Sequence, residues 1–175
     1  MDLNLKYIEV KNVQIYSGRE VDFHLSYQNF GQDINQFPVV VVNHSLTGNS
    51  NVSGQNGWWK DLIGKNKLID TGRFAVLAFN IPGNCFGKEK NEFLDDLILG
   101  DVAKAFNKAL SQLGINRVHS LIGGSVGGGL VWEMGALNPE LFQNLIPIAA
   151  NYKSSDWLLA NTYLQSKLLE NSSDP

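Results

Sequence analysis

One serine set among glycines is the residue of this chain best placed to do chemistry. Gly123-Gly124-Ser125-Val126-Gly127 fits the spacing G-x-S-x-G, inside "SLIGGSVGGGLVWEMG" at 120–135. An apolar run precedes it and helical spacing follows it. A serine on a sharp strand-to-helix turn projects its hydroxyl above the sheet, and small neighbours let that turn close. Such a serine is a nucleophile for acyl transfer. The backbone N–H of Val126 then faces the oxyanion that forms when an acyl carbonyl is attacked. The spacing alone is a weak signal, because a glycine-rich turn can serve only to let helix and strand pack closely. A nucleotide-binding turn is excluded by pattern: neither G-x-G-x-x-G nor G-x-x-x-x-G-K-[ST] occurs.

A second oxyanion donor is expected from the loop after an earlier core strand. "PVVVVNH" at 38–44 is a β-branched run of the kind buried on both faces of a sheet. The long polar loop "SLTGNSNVSGQNGWW" follows it and places Leu46 to offer a backbone N–H. His44 and Ser45 open this loop. A histidine at a strand end more often makes structural hydrogen bonds than catalyses, and that is the reading taken for His44.

The remaining elements follow from periodicity. Residues 7–16 and 20–28 alternate apolar and polar around Ser17-Gly18, which predicts an antiparallel hairpin. "WWKDLIGKNKLID" suggests a short helical piece, and "FAVLAFN" at 74–80 a second buried strand. From Phe93 to Leu113 the apolar positions follow the 3.6-residue period of an amphipathic helix, with Gly114 as its stop. "VHSLIG" at 118–123 is a third strand. A helix runs from Val126 to about Leu137, "NLIPIAA" at 144–150 is a fourth core strand, and 155–171 is a last helix capped by Ser155 or Ser154. Strands alternating with helices predict an α/β protein with a mostly parallel, mixed sheet carrying the hairpin at one edge.

Bulk properties narrow the partners. The 175 residues are 43% hydrophobic and 18% charged with a net charge of -3, which suits one domain with a real core. No basic stripe points to nucleic acid. No apolar run nears the ~20 residues that span a bilayer. A single cysteine, Cys85, allows no internal disulfide and fits a reducing compartment, so the expected location is cytoplasmic. Cys85 is read as structural or incidental. Trp58 and Trp59 are read as a loop anchor in preference to a channel lining. No metal-ligand spacing is present, so no metal is expected.

Two blocks together resemble the homoserine O-acetyltransferases, members of the α/β-hydrolase superfamily. "NHSLTGNSNVSGQNGWWKDLIGKNKLIDTGRFAVLAFNIPGNCFG" (43–87) is similar to that family's oxyanion-loop region, and "GGSVGGGLVWEMGALNPELFQNLIPIAA" (123–150) to its nucleophile elbow with the helix and strand beyond. The resemblance runs from about residue 38 to the end. It implies an α/β-hydrolase fold and a ping-pong acyl transfer. Acetyl-CoA, or in some members succinyl-CoA, is the donor substrate, with no bound cofactor. The acceptor is homoserine or a similar hydroxy amino acid. Carried over by motif, Ser125 is the nucleophile, and Leu46 and Val126 are the oxyanion donors. Val126 stands where the family usually has Met, and Ser45 where Ala is common. Both changes spare the backbone groups that the chemistry needs.

A base is missing from this plan. The family's triad runs Ser, Asp, His along the chain, yet His24, His44 and His119 all precede Ser125. A serine hydroxyl without a neighbouring base is a poor nucleophile. The downstream carboxylates Glu133, Glu140, Asp156, Glu170 and Asp174 are read as solvated surface charges. The resemblance places a helical cap after this point, starting at about 153–175, then closing strands that bear Asp and His. It also implies dimerisation through that cap in the whole enzyme. The chain therefore reads as the N-terminal portion (1–175) of one α/β-hydrolase domain, inactive by itself. The alternatives are an esterase with the same fold, and a non-catalytic homologue that acts as a binding module.

Overall fold

The computed structural model describes residues 4–87, 91 and 94–172. An antiparallel hairpin, β1 (Lys6–Gln14) and β2 (Glu20–Gly31), opens the chain. Its turn carries Gly18 at φ 85°, a conformation open to glycine at no cost. A bulge between Val10 and Val13 holds Asn12 at φ 54° and lets both valines face the core despite their three-residue spacing. β3 (Val39–Asn43) follows, buried along its whole length.

Between β3 and the next core strand, residues 44–74 form turns and a two-residue parallel ladder of β4 (Ile63–Gly64) and β5 (Ile69–Asp70). The helical piece expected over 58–70 does not form. Asp70 Oδ1 accepts the N–H groups of Asn66 at 2.9 Å and Gly72 at 2.8 Å, and Asn66 takes φ 61°. These short-range side-chain bonds offer the backbone an alternative to a helix. β6 (Ala75–Phe79) is the second fully buried strand.

The amphipathic helix α1 (Leu99–Gln112) begins later than its apolar period suggests. Leu94–Asp96 is a separate 3-10 turn, and Phe93 lies outside the described residues. The reason is Asp101, fully buried, whose carboxylate takes the N–H of Ile98 at 3.3 Å and of Tyr16 at 2.9 Å, with Lys104 Nζ at 3.1 Å. It caps the helix at Ile98 and joins it to the hairpin. Gly114 ends the helix at φ 76°, as expected. Then come β7 (Ser120–Gly124), α2 (Val126–Leu137), β8 (Leu145–Ile148) and α3 (Asp156–Glu170), the last with Ser155 as its cap.

The six-stranded sheet has the order β1-β2-β6-β3-β7-β8. β2 runs antiparallel to β6, and from β6 onward the pairs are parallel. One face carries Val39, Val41, Leu77 and Leu121 under Phe106 and Leu110 of α1 and Leu130 and Met134 of α2. Phe79 stacks on Phe106 at 4.8 Å between ring centroids. The other face carries Val40, Val42, Val76, Ala78 and Ile122 beneath Val52, Ile63, Trp58 and Trp59. Each large side chain so buried contributes about 1.5–3 kcal/mol.

β8 differs from its sequence reading. "NLIPIAA" has the pattern of a core strand, yet Leu145, Ile146 and Ile148 are 38%, 40% and 42% exposed. Among the described residues the strand pairs with β7 alone. α3 has no buried residue, although Trp157, Leu164 and Leu168 lie along it. Both elements have a composition suited to burial that the described residues do not provide.

Candidate active site

The parallel strands β3, β6 and β7 end together at one end of the sheet, which is where ligands bind in open α/β sheets. β7 runs into α2 at Ser125. This serine has φ 56° and ψ -120°, a backbone state that L residues rarely adopt. Its N–H donates to the carbonyl of Ile148 at 2.9 Å, and its own carbonyl accepts from Gly128 and Gly129 at 2.9 and 3.0 Å. Those bonds start α2 on one side and tie the turn to β8 on the other. Ser125 is exposed.

The glycines around it have separate reasons. A Cβ on Gly123 would stand 2.2 Å from the Gly127 carbonyl oxygen. A Cβ on Gly127 would stand 2.3 Å from the carbonyl oxygen of Asn43 and 2.6 Å from that of His44. A Cβ on Gly128 would stand 2.6 Å from that of Ala150, whereas one on Gly124 would meet nothing within 4 Å. The two glycines that frame the serine in G-x-S-x-G are therefore required by contact, and the position between Gly123 and Ser125 is free. Gly127 also brings the first turn of α2 against the end of β3, where Asn43 pairs with Gly123. The first N–H groups of a helix lack acceptors within it and carry its positive dipole end. Val126 provides the first of these.

The loop after β3 is folded tightly against the same region. The N–H of Gly48 donates to the Ser45 carbonyl at 2.9 Å, closing a turn with Leu46 and Thr47 at its corners. Leu46 is the second residue of that turn, so its N–H lies outside the closing bond, and the residue is 75% exposed. Ser125, Val126 and Leu46 thus sit at the C-terminal ends of the adjacent strands β7 and β3.

His44 is fully buried. Its Nδ1 donates to the Ser45 carbonyl at 2.6 Å, and its Nε2 accepts from the Ile81 N–H at 2.9 Å, with the Asn84 amide at 3.3 Å. A carbonyl can only accept and an amide N–H can only donate, so these partners define the neutral Nδ1–H tautomer. Burial pushes the imidazole below its ordinary pKa, opposed in lesser part by the bond to Ser45. Both ring nitrogens are occupied, as expected of a structural histidine.

A buried polar cluster beside it was not foreseen. Asn80 Oδ1 accepts from the Ser50 N–H at 2.7 Å, and Asn80 Nδ2 donates to the hydroxyls of Ser26 at 2.7 Å and Ser50 at 3.0 Å. The Ser50 hydroxyl donates to Gln28 Oε1 at 2.8 Å, and Asn84 Nδ2 to Asn80 Oδ1 at 3.0 Å. The cluster fastens the loop after β3 to β2 and β6. Its sequence signal is a polar residue closing an apolar strand, Asn80 after "AVLAF". Trp58 also acts on this loop, donating from Nε1 to the Asn49 carbonyl at 2.8 Å while it packs on the sheet beside Trp59.

The other singled-out residues lie elsewhere. His24 is exposed on β2, and its backbone bonds to the Asn91 side chain. His119 precedes β7 at the opposite end of the sheet, its ring 5.1 Å from that of Phe74. Glu133, Glu140, Asp156 and Glu170 are exposed, and Asp174 lies outside the described residues. Cys85 is exposed at φ 57°. None of the hydrogen bonds among the described residues joins a histidine or a carboxylate to the Ser125 hydroxyl.

Residues 38–171 match the alpha/beta hydrolase fold family. The chain belongs to that family. Among α/β hydrolases it is similar to the homoserine O-acetyltransferases of Corynebacterium jeikeium (32% identical over 144 residues, 76% of this chain and 36% of the relative) and Sulfurimonas autotrophica (30% over 193 residues, 97% and 52%). The solved homoserine O-acetyltransferase of Staphylococcus aureus superposes with a TM-score of 0.80 at 26% identity, over 97% of this chain and 54% of that one. Esterase E22 superposes at 0.83 with 19% identity, a likeness of fold alone. The chain spans 36% to 52% of the length of these two curated relatives.

Proposed function

We propose that this α/β hydrolase is the N-terminal part of an acyl-CoA-dependent O-acyltransferase of the homoserine O-acetyltransferase kind. In this reading Ser125 Oγ attacks the thioester carbonyl of acetyl-CoA or succinyl-CoA. Charge develops on the carbonyl oxygen, where the N–H groups of Val126 and Leu46 stabilise it. The C–S bond breaks, the thiol leaves with a proton, and the acyl group stays on Ser125. The hydroxyl of homoserine, or of a similar amino acid, then takes the acyl group and returns the proton to the serine. In this reading, as the family resemblance implies, the base that moves these protons and the acid that orients it are a His and an Asp outside these 175 residues. A cytoplasmic location, dimerisation through a cap and inactivity of the 175 residues alone go with the same reading.

The observation that carries it is the conformation of Ser125 at the end of β7, with the elbow pressed by Gly127 onto the strand end from which the Leu46 loop departs. The test is release of CoA from acetyl-CoA by the whole gene product, with and without homoserine. Release that depends on homoserine and yields O-acetylhomoserine supports the transferase. Equal release in both conditions overturns it in favour of an ester and thioester hydrolase.

A further inference from the structure

The loop that carries Leu46 has no regular secondary structure of its own at the turn Ser45–Gly48, so something else must hold it. An oxyanion donor works only when its N–H is fixed before the charge develops, because reorganisation at the moment of reaction erodes the gain. His44 sits one residue before that turn, fully buried, with its ring bonded in two directions. Nδ1–H holds the Ser45 carbonyl, the same oxygen that accepts from Gly48 to close the turn around Leu46. Nε2 holds the N–H of Ile81, in the loop after β6. Asn84 from that second loop reaches Nε2 at 3.3 Å and the Gly48 carbonyl at 3.4 Å. A Cβ on Gly48 would stand 2.9 Å from the Cβ of His44, so the turn is also seated against this side chain.

We propose that His44 is a positioning residue for the oxyanion loop: its neutral imidazole latches the Leu46 turn to the loop after β6 and sets the direction of the Leu46 N–H. It does not touch substrate; it acts through Leu46. The inference rests on the acyltransferase reading of Ser125. A phenyl or aliphatic side chain of similar size could fill the same space. Only a group that donates at one end and accepts at the other satisfies both Ser45 and Ile81.

The experiment uses the whole gene product with four variants: Ser125→Ala, His44→Leu, His44→Gln and Asn84→Ala. Each is first shown to unfold cooperatively. Turnover of acetyl-CoA is then measured as kcat and KM, together with affinity for a trifluoromethyl ketone that becomes a tetrahedral oxyanion on the serine. His44→Leu removes both bonds, and kcat falls on the order of 10²-fold, the usual effect of losing one oxyanion donor, with KM within about threefold. Affinity for the ketone falls in parallel. His44→Gln keeps an acceptor for Ile81 and regains part of the loss. Asn84→Ala lowers kcat less than His44→Leu, again without raising KM, and it decides the matter if the His44 variants do not fold. Folded variants that keep kcat and ketone affinity within twofold of the parent overturn the proposal while Ser125→Ala remains inactive. Turnover that survives in Ser125→Ala overturns the acyltransferase reading itself, and the role of His44 with it.

Discussion

Gly127 of α2 and Asn43 of β3 are packed so closely that a Cβ on the glycine would stand 2.3 Å from the asparagine's carbonyl oxygen. Backbone meets backbone there, and neither side can yield as a flexible side chain would. The contact joins the first turn of α2 to the strand that launches the Leu46 loop. Gly127→Ala is therefore expected to cost about 3 kcal/mol or more, in the range of severe overpacking. Gly124→Ala, with open space at its Cβ, is expected to stay within about 1 kcal/mol of the parent. Urea unfolding of the two variants checks this, and equal midpoints would show that the elbow is not held by this contact.

Ser125, the proposed nucleophile, holds a strained backbone. Ser125→Ala is expected to abolish the acetyl adduct on that residue's peptide while leaving the unfolding midpoint in place, since the residue is exposed. Ser125→Gly is expected to lose the adduct and gain about 1 kcal/mol of stability, because glycine adopts a positive φ without penalty. Mass spectrometry of the elbow peptide and thermal unfolding give the two readouts. A Ser125→Gly variant no more stable than Ser125→Ala would refute the strain.

His44 makes stability depend on pH in a stated direction. Its folded-state pKa lies below its ordinary value because burial disfavours the charged ring. Unfolded, it titrates near 6.5. As pH falls below that value, the unfolded chain takes up the proton first, so the stability present above pH ~6.5 declines until the folded-state pKa is passed. His44→Gln is expected to flatten this part of the profile. An unchanged slope would place the titration elsewhere.

Asn80 is 1% exposed, and its amide serves Ser50, Ser26 and Asn84. Asn80→Ala leaves the Ser50 N–H buried without its acceptor, at an expected cost of about 2–3 kcal/mol. Chemical denaturation checks the value. A loss below about 0.5 kcal/mol would mean that the loop is not fastened through this residue.

Helix α3 provides the opposite case. Trp157 and Leu168 are 74% and 72% exposed. In the 175-residue chain, Trp157→Gln and Leu168→Gln are expected to change stability by no more than about 0.5 kcal/mol, and to reduce self-association measured by sedimentation. A large destabilisation would show that the helix packs on the sheet.

How much was legible depended on the range of the force involved. The buried strands β3 and β6 followed from continuous apolar runs, since burial on both faces marks every residue of such a strand, and α2 followed from its helical spacing. The start of α1 was misplaced because a fully buried carboxylate, Asp101, captures the Ile98 N–H and overrides the period upstream. Residues 58–70 were misread for a similar reason: Asp70 takes two backbone N–H groups and folds the segment into turns.

The sequence by itself determined where the strand-to-helix turn and its serine fall. Ser125 framed by Gly123 and Gly127 between a strand and a helix marks a sharp turn, and local sterics make that pattern readable without coordinates. The absence of any histidine after Ser125 was equally plain. Only the tertiary structure decided which residues hold the site together. His44 clasps Ile81, 37 positions away, and Asn80 reaches Ser26, 54 positions away. Such bonds arise from the pairing of β2, β3 and β6. One-dimensional spacing carries no record of them, because hydrogen bonds between side chains depend on distances that only the folded sheet sets.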